Sequence, residues 1–90
     1  MTVILSAKAA RQLEALLDYL ETEWSPQSRR SFQNRLNRFI KILKTVPHGF
    51  PESERFPGCR KCVVTPQTSL VYRAQGNLIE IVSLIDNRQQ

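Results

Sequence analysis

The stretch KCVVTPQTSLVYRAQGNLIEIVSLI, Lys61 to Ile85, decides the fold. Its β-branched and aromatic residues fall into three runs, Lys61 to Thr65, Thr68 to Ala74 and Leu78 to Ile85, with the period of two that marks strands. Pro66-Gln67 and Gln75-Gly76-Asn77 separate them, and both spacers suit tight hairpins. The expectation is a three-stranded antiparallel meander. Such a sheet needs a layer packed on its apolar face, and the first half of the chain has to supply it.

Thr2 to Leu5 reads as a short strand ending at Ser6, a good helix N-cap. Helical spacing follows: Ala10, Leu13, Leu16, Leu17, Leu20 and Trp24 form one apolar stripe on a helix from Ala7 to Trp24, with Glu14, Asp18 and Glu21 on the other side. Ser25-Pro26 stops that helix and starts another, because proline disfavours helical geometry in the residue before it yet fits a first helical position. The second helix runs from Pro26 to Thr45. Phe32, Leu36, Phe39, Ile40 and Leu43 make its apolar face; Arg30, Asn34, Asn37, Arg38, Lys41 and Lys44 point the other way, with Arg35 at the margin. From Val46 to Gly58, three prolines and two glycines with no period predict a loop. The predicted fold is α+β, in the order β-α-α-β-β-β: a helical hairpin over a four-stranded antiparallel sheet, the N-terminal strand pairing with the meander. Residues 1–90 are expected to form one domain.

The totals agree with an ordinary globular chain: 90 residues, 41% hydrophobic and 23% charged. Val3, Ile4 and Leu5 are too short an apolar run for a signal peptide, and no run approaches the roughly 20 residues of a membrane span, so a cytoplasmic location is expected. The net charge of +5 is unevenly placed. Residues 1–24 set two cations against four acids, residues 25–50 carry six cations and no acid, and the rest set five cations against four acids. The basic face of the second helix has three open explanations: pairing with the acidic first helix, binding nucleic acid or ribosomal RNA, or binding an acidic antitoxin. Cys59 and Cys62 form a lone CxxC, a weak metal signal with one histidine in the chain; they read as small residues entering a strand rather than as a zinc or redox pair. His48, between Pro47 and Gly49, reads as a turn residue. No metal or organic cofactor is expected.

The order and residues together resemble the RelE/ParE superfamily of toxins from bacterial type II toxin-antitoxin systems. The likeness rests on Ser6 before the Ala-rich Ala7 to Ala10, the hairpin broken at Trp24-Ser25-Pro26, and Leu43 to Gly49. It continues through Arg60 to Val64, Ser69 to Arg73, Ile79 to Val82 and the terminal Asp86-Asn87-Arg88. The resemblance implies a growth inhibitor of the plasmid-stabilisation kind, neutralised by a cognate antitoxin. Members similar to ParE poison DNA gyrase, whereas members similar to RelE cut messenger RNA on the ribosome. A non-toxic nucleic-acid-binding domain is a third class.

Cleavage by 2'-hydroxyl attack needs proton-handling groups and a cationic cradle for the phosphorane. Arg60, Lys61 and Arg73 are the candidates for a nuclease site, and Arg55, Arg60, Lys61, Arg73, Asp86 and Arg88 are the candidates for target binding. Each has a plainer reading. Arg60 and Lys61 alternate faces of a strand, Arg73 pairs with Glu80 across the hairpin, and Asp86 with Arg88 is a frayed tail. Nuclease members commonly have a tyrosine or histidine near the C-terminus, and this chain has neither after Ile79. Tyr72 reads as a core residue, and Glu52 and Glu54 as solvated loop carboxylates. The segment from Asp86 to Gln90 therefore reads as a contact tail leaving the sheet beside the cationic loop, which favours ParE-like gyrase binding over catalysis.

Overall fold

A computed structural model describes residues 1–88 of the chain; Gln89 and Gln90, the end of the expected tail, lie outside the described residues. The elements are β1 (Thr2–Leu5), α1 (Ala7–Glu23), α2 (Pro26–Thr45), β2 (Arg60–Val63), β3 (Thr68–Gln75) and β4 (Leu78–Asp86). The strands form one sheet in the order β1-β4-β3-β2. β2, β3 and β4 are the antiparallel meander, but β1 runs parallel to β4, pairing Thr2 with Leu78 and Leu5 with Ile81. The sheet is thus mixed rather than wholly antiparallel. The physical reason is the long helical crossover between β1 and the meander, the kind of connection that permits parallel pairing.

β1 covers only the first part of β4. Beyond Ile81, β4 carries a bulge: Val71 faces Ser83 and Tyr72 faces Ile81, which leaves Val82 as the extra residue. Ser6 joins the two features. Its amide donates to the Ile81 carbonyl (2.9 Å), its hydroxyl donates to the Val82 carbonyl (2.7 Å), and the same oxygen accepts from the Ala9 amide (3.0 Å) as the N-cap of α1. From there α1 runs beside β4, and the Gln12 side-chain oxygen accepts from the Leu84 amide (2.8 Å) and the Ser83 hydroxyl (3.2 Å). The bulge also shifts the alternation of β4, so that Ile79, Ile81 and Leu84 all enter the core.

At the helical junction the Ser25 hydroxyl accepts from the Ser28 amide (3.0 Å) and Pro26 opens α2, as the sequence predicts. Phe32, Leu36 and Leu43 of α2 are buried in one core with Cys62, Leu70 and Tyr72, and Phe39 and Ile40 pack at its margin. The stripe predicted on α1 shifts: Ala9, not Ala10, is buried, and Trp24 is 70% exposed. Trp24 follows the last helical residue with backbone angles of φ −122° and ψ −86°, so helical spacing no longer sets the direction of its side chain.

Tyr72 is fully buried, donates its hydroxyl to the Pro47 carbonyl (2.7 Å) and meets the Phe50 ring edge-on at 6.4 Å. The β3–β4 hairpin closes through Gly76 at φ +58°; a side chain there would find open space but a backbone conformation strained for any L-residue. Both cysteines are free and buried, and burial pushes the Cys62 thiol up to about 11.

Two outcomes test this packing. Ser6→Ala removes a cap and a cross-chain donor, and Tyr72→Phe leaves the Pro47 carbonyl unpaired; each is expected to cost about 1–2 kcal/mol in denaturant unfolding. Cys62 is expected to resist thiol reagents at neutral pH in the native state and to react once the chain is unfolded, with modification mapped by mass spectrometry.

Candidate target-binding site

The last turn of β4 is the shared wall of two clefts. The first, about 680 Å³, is polar: Lys8 and Gln12 come from α1, Glu52 to Phe56 from the loop, Lys61 from β2, and Ser83 to Asn87 from the strand end. The second, about 770 Å³, opens between the helical hairpin and the β2–β3 turn. Leu16, Tyr19, Leu20, Trp24 and Phe32 give it an apolar wall, and Arg35, Asp86 and Arg88 ring it with charge.

The loop side of the polar cleft is more ordered than its composition suggests. The Lys61 amide donates to the Pro51 carbonyl (2.9 Å) and the Ser53 amide to the Cys59 carbonyl (2.8 Å), so residues 51–53 lie along the outer edge of β2. Phe56 sits between two cations, Lys8 Nζ at 5.6 Å and Arg55 Cζ at 5.4 Å from its ring centre. At exposed sites such contacts contribute about 0.5–1 kcal/mol each, enough to hold the loop against α1.

The strand end is pinned by Asn87. Its amide donates to the Gln67 carbonyl (2.7 Å), its side-chain oxygen accepts from the Ser69 hydroxyl (2.8 Å), and its Nδ2 donates to the Pro66 carbonyl (3.1 Å). The tail through Arg88 is therefore not frayed. Beyond this pin, Arg88 folds back on Asp86: Nε meets Oδ1 at 2.9 Å, Nη2 meets Oδ2 at 2.8 Å, and the Arg88 amide also donates to Oδ1 at 2.9 Å. These bonds lower the Asp86 carboxyl to about 2 and raise the Arg88 guanidinium above its usual range.

The six candidate residues do not form one cluster. Arg55, Lys61 and Asp86 line the polar cleft, while Arg88 and the same Asp86 line the second. Arg60 lies on the other side of β2 from Lys61, in register with Tyr72, and its Nη1 donates to the Phe50 carbonyl at 2.7 Å. Arg73 is paired with Glu80 at 2.6 Å near the β3–β4 turn, as the cross-strand reading expects. That is five residues along β3 from Thr68, the partner of Asp86, or roughly 17 Å at about 3.4 Å per residue. Lys61 faces Val71, two residues along β3 from Arg73 on the same face of the sheet, whereas Arg60 is on the other face. Burial raises the Tyr72 hydroxyl above its ordinary range, with Arg60 opposing the shift.

Gln12, Lys8, Asn87, Tyr19 and Trp24 escape a reading of spacing alone. Lys8, Trp24 and Asn87 lie inside stretches that carry the family resemblance, whereas Gln12 and Tyr19 carried no signal. Among the described residues no group of three or more His, Cys, Asp or Glu could hold a metal ion, and no helix is long and apolar enough to cross a membrane.

The fold is shared with solved toxin structures. The chromosomal ParDE toxin-antitoxin system of P. aeruginosa superposes with a TM-score of 0.80 at 24% identity, covering 96% of this chain and 95% of that one. A YoeB/ParE toxin from Agrobacterium tumefaciens gives 0.70 at 17%, covering 97% and 99%, and YafQ from E. coli gives 0.65 at 13%, covering 96% and 92%. At such identities the likeness establishes a RelE/ParE-like fold. The family model described as "ParE toxin of type II toxin-antitoxin system, parDE" matches residues 3–90, and the chain belongs to that toxin family. No curated protein matches it.

The Asp86–Arg88 clamp makes a pH prediction. A carboxyl held low in the folded state stabilises above its unfolded value of about 3.9 and loses that contribution as pH falls through about 2. Carboxyl-detected NMR is expected to place the Asp86 midpoint near 2. Arg88→Gln is expected to return it toward the ordinary carboxylate range.

Proposed function

We propose that this chain arrests growth by contact rather than by cleavage, binding DNA gyrase through the platform at the end of β4. The observation that carries this reading is the state of Tyr72. A ribonuclease of this fold needs a group to move the 2'-hydroxyl proton. The tyrosine of the sheet is fully buried with its hydroxyl donated to Pro47, and the sequence supplies no histidine or tyrosine after Ile79. The placement of Arg60 on the opposite face of β2 from Lys61 weakens the cradle as well.

What the strand end offers instead is a fixed guanidinium. Asn87 holds the backbone to the β2–β3 turn, so a partner meets Arg88 without having to order the strand that carries it. A partner carboxylate has to displace or share Asp86, and an exchange of one bidentate pair for another costs little charge desolvation. The match to the ParE model extends through the same residues.

Neutralisation by a cognate antitoxin belongs to the same proposal. E. coli YafQ has been solved in a DinJ-YafQ complex, at 13% identity to this chain. Here the second cleft, with Tyr19 50% and Trp24 70% exposed, fits an amphipathic antitoxin segment that covers Arg88 as it binds.

Induction of this protein alone in a bacterial host, with growth, messenger-RNA breaks and gyrase-dependent DNA cleavage followed together, tests the proposal. Arrest with intact messages and trapped DNA breaks is expected. Arg88→Ala is expected to weaken gyrase binding by about 10- to 100-fold, the equivalent of about 1.5–3 kcal/mol for a charged hydrogen-bonded contact, with the fold kept and only the small contribution of the exposed Asp86 pair lost from thermal stability. New breaks inside translated codons, abolished by changing Arg60, Lys61 or Arg73, would establish the nuclease reading in its place.

A further inference from the structure

The acid-free helix α2 divides its cations into two groups. Arg29 faces α1 and is spent within the fold, meeting Glu21 at 3.3 Å and Asp18 at 3.6 Å. Arg30, Arg38, Lys41 and Lys44 are exposed, and none makes an ion pair among the described residues. At 100° per residue they share one face with Gln33, Asn34 and Asn37, all exposed as well. This face contains no carboxylate and no apolar side chain. Bonds within the fold therefore account for Arg29 and for Arg35, whose Nε donates to the Val64 carbonyl, and leave four cations without an ion pair among the described residues.

We infer that this outer face of α2 is a docking surface for the phosphate backbone of duplex nucleic acid, separate from the strand-end platform. Three observations select that occupant. Protein interfaces are centred on aromatic and aliphatic anchors, and this face sets two arginines and two lysines among amides with no such anchor. Single strands are gripped by stacking on aromatic rings, and this face has none. Fourteen residues separate Arg30 from Lys44, a span of about 21 Å along the helix, comparable to about six phosphate steps of one strand of a duplex. Asn34 and Asn37 lie between the cations, where amides donate to phosphate oxygens without reading sequence. Binding by this face is therefore expected to be weak, non-specific in sequence and steeply dependent on salt. It does not depend on which machine the strand-end platform engages.

The test is fluorescence anisotropy of the full chain with a labelled mixed-sequence duplex of about 20 base pairs, two helical turns, across a salt series. With four phosphate contacts, affinity is expected to fall on the order of a hundredfold between about 50 and 200 mM salt. The variant Arg38→Gln, Lys41→Gln, Lys44→Gln is expected to bind at least about tenfold more weakly at low salt and to show only a few-fold salt effect. Glutamine is a good helix former at exposed positions, and matching thermal melts confirm that the fold is kept. A second variant with the same change in charge, Lys8→Gln, Arg55→Gln, Lys61→Gln, empties the polar cleft and is expected to stay within about twofold of the parent. Equal loss in both variants would reduce the effect to net charge and overturn the inference. So would tighter binding of a single strand than of a duplex, salt-independent binding, or no binding by the parent. Loss of an acidic protein partner from the first variant, with the duplex ignored by the parent, would assign the face to that partner instead.

Discussion

β1 is shorter than the strand it pairs with, and the rest of the architecture is arranged around that mismatch. Its last residue faces Ile81, yet β4 continues to Asp86, so the far part of β4 needs other partners on that side. Ser6 supplies the first and Gln12 the second. Because one hydroxyl both caps α1 and binds the bulged carbonyl of Val82, the helix cannot start in register without also being set against the strand. α1 thereby becomes the wall that divides the strand end into two clefts. The bulge completes the arrangement by turning Leu84 inward, which leaves Asp86 to be shared between them.

The chemistry of the strand end follows from what is pinned and what is left free. Asn87 spends its donors on the β2–β3 turn and its acceptor on Ser69 of β3, so rigidity is provided by a neutral side chain. The charged pair on either side of it is then available for exchange. The fold places its surplus cations elsewhere, on a helix face that shares no residue with either cleft apart from what the core transmits. Contact with a partner at one surface and with phosphates at another are separable properties of one small molecule.

Much of this was legible in the sequence, for identifiable reasons. The meander was visible because Gly76-Asn77 and the flanking β-branched runs encode a hairpin locally, and the helical junction because Ser25-Pro26 does the same. The Arg73–Glu80 pair was readable from hairpin register alone. The direction of β1 was not, since a four-residue strand presents the same alternation whichever way it runs. Trp24 was placed in the apolar stripe because its spacing is helical, but it lies just past the helix end. Alternation along β2 was readable too: it sends Arg60 to the Tyr72 side and leaves Lys61 on the face that Arg73 shares, with Arg73 at the opposite end of the sheet from Asp86. Gln12 had no signal at all, because its role exists only once a strand seventy residues away loses its neighbour.

The exposure of Trp24 has a spectroscopic consequence. It is the sole tryptophan of the chain, and it stands in water at the rim of the apolar cleft while the core is built from aliphatic residues, Phe32 and Tyr72. Indole emission will therefore respond little to the loss of the core and strongly to anything that covers the cleft, moving to the blue as water leaves the ring. The molecule carries a built-in optical reporter of occupancy rather than of folding.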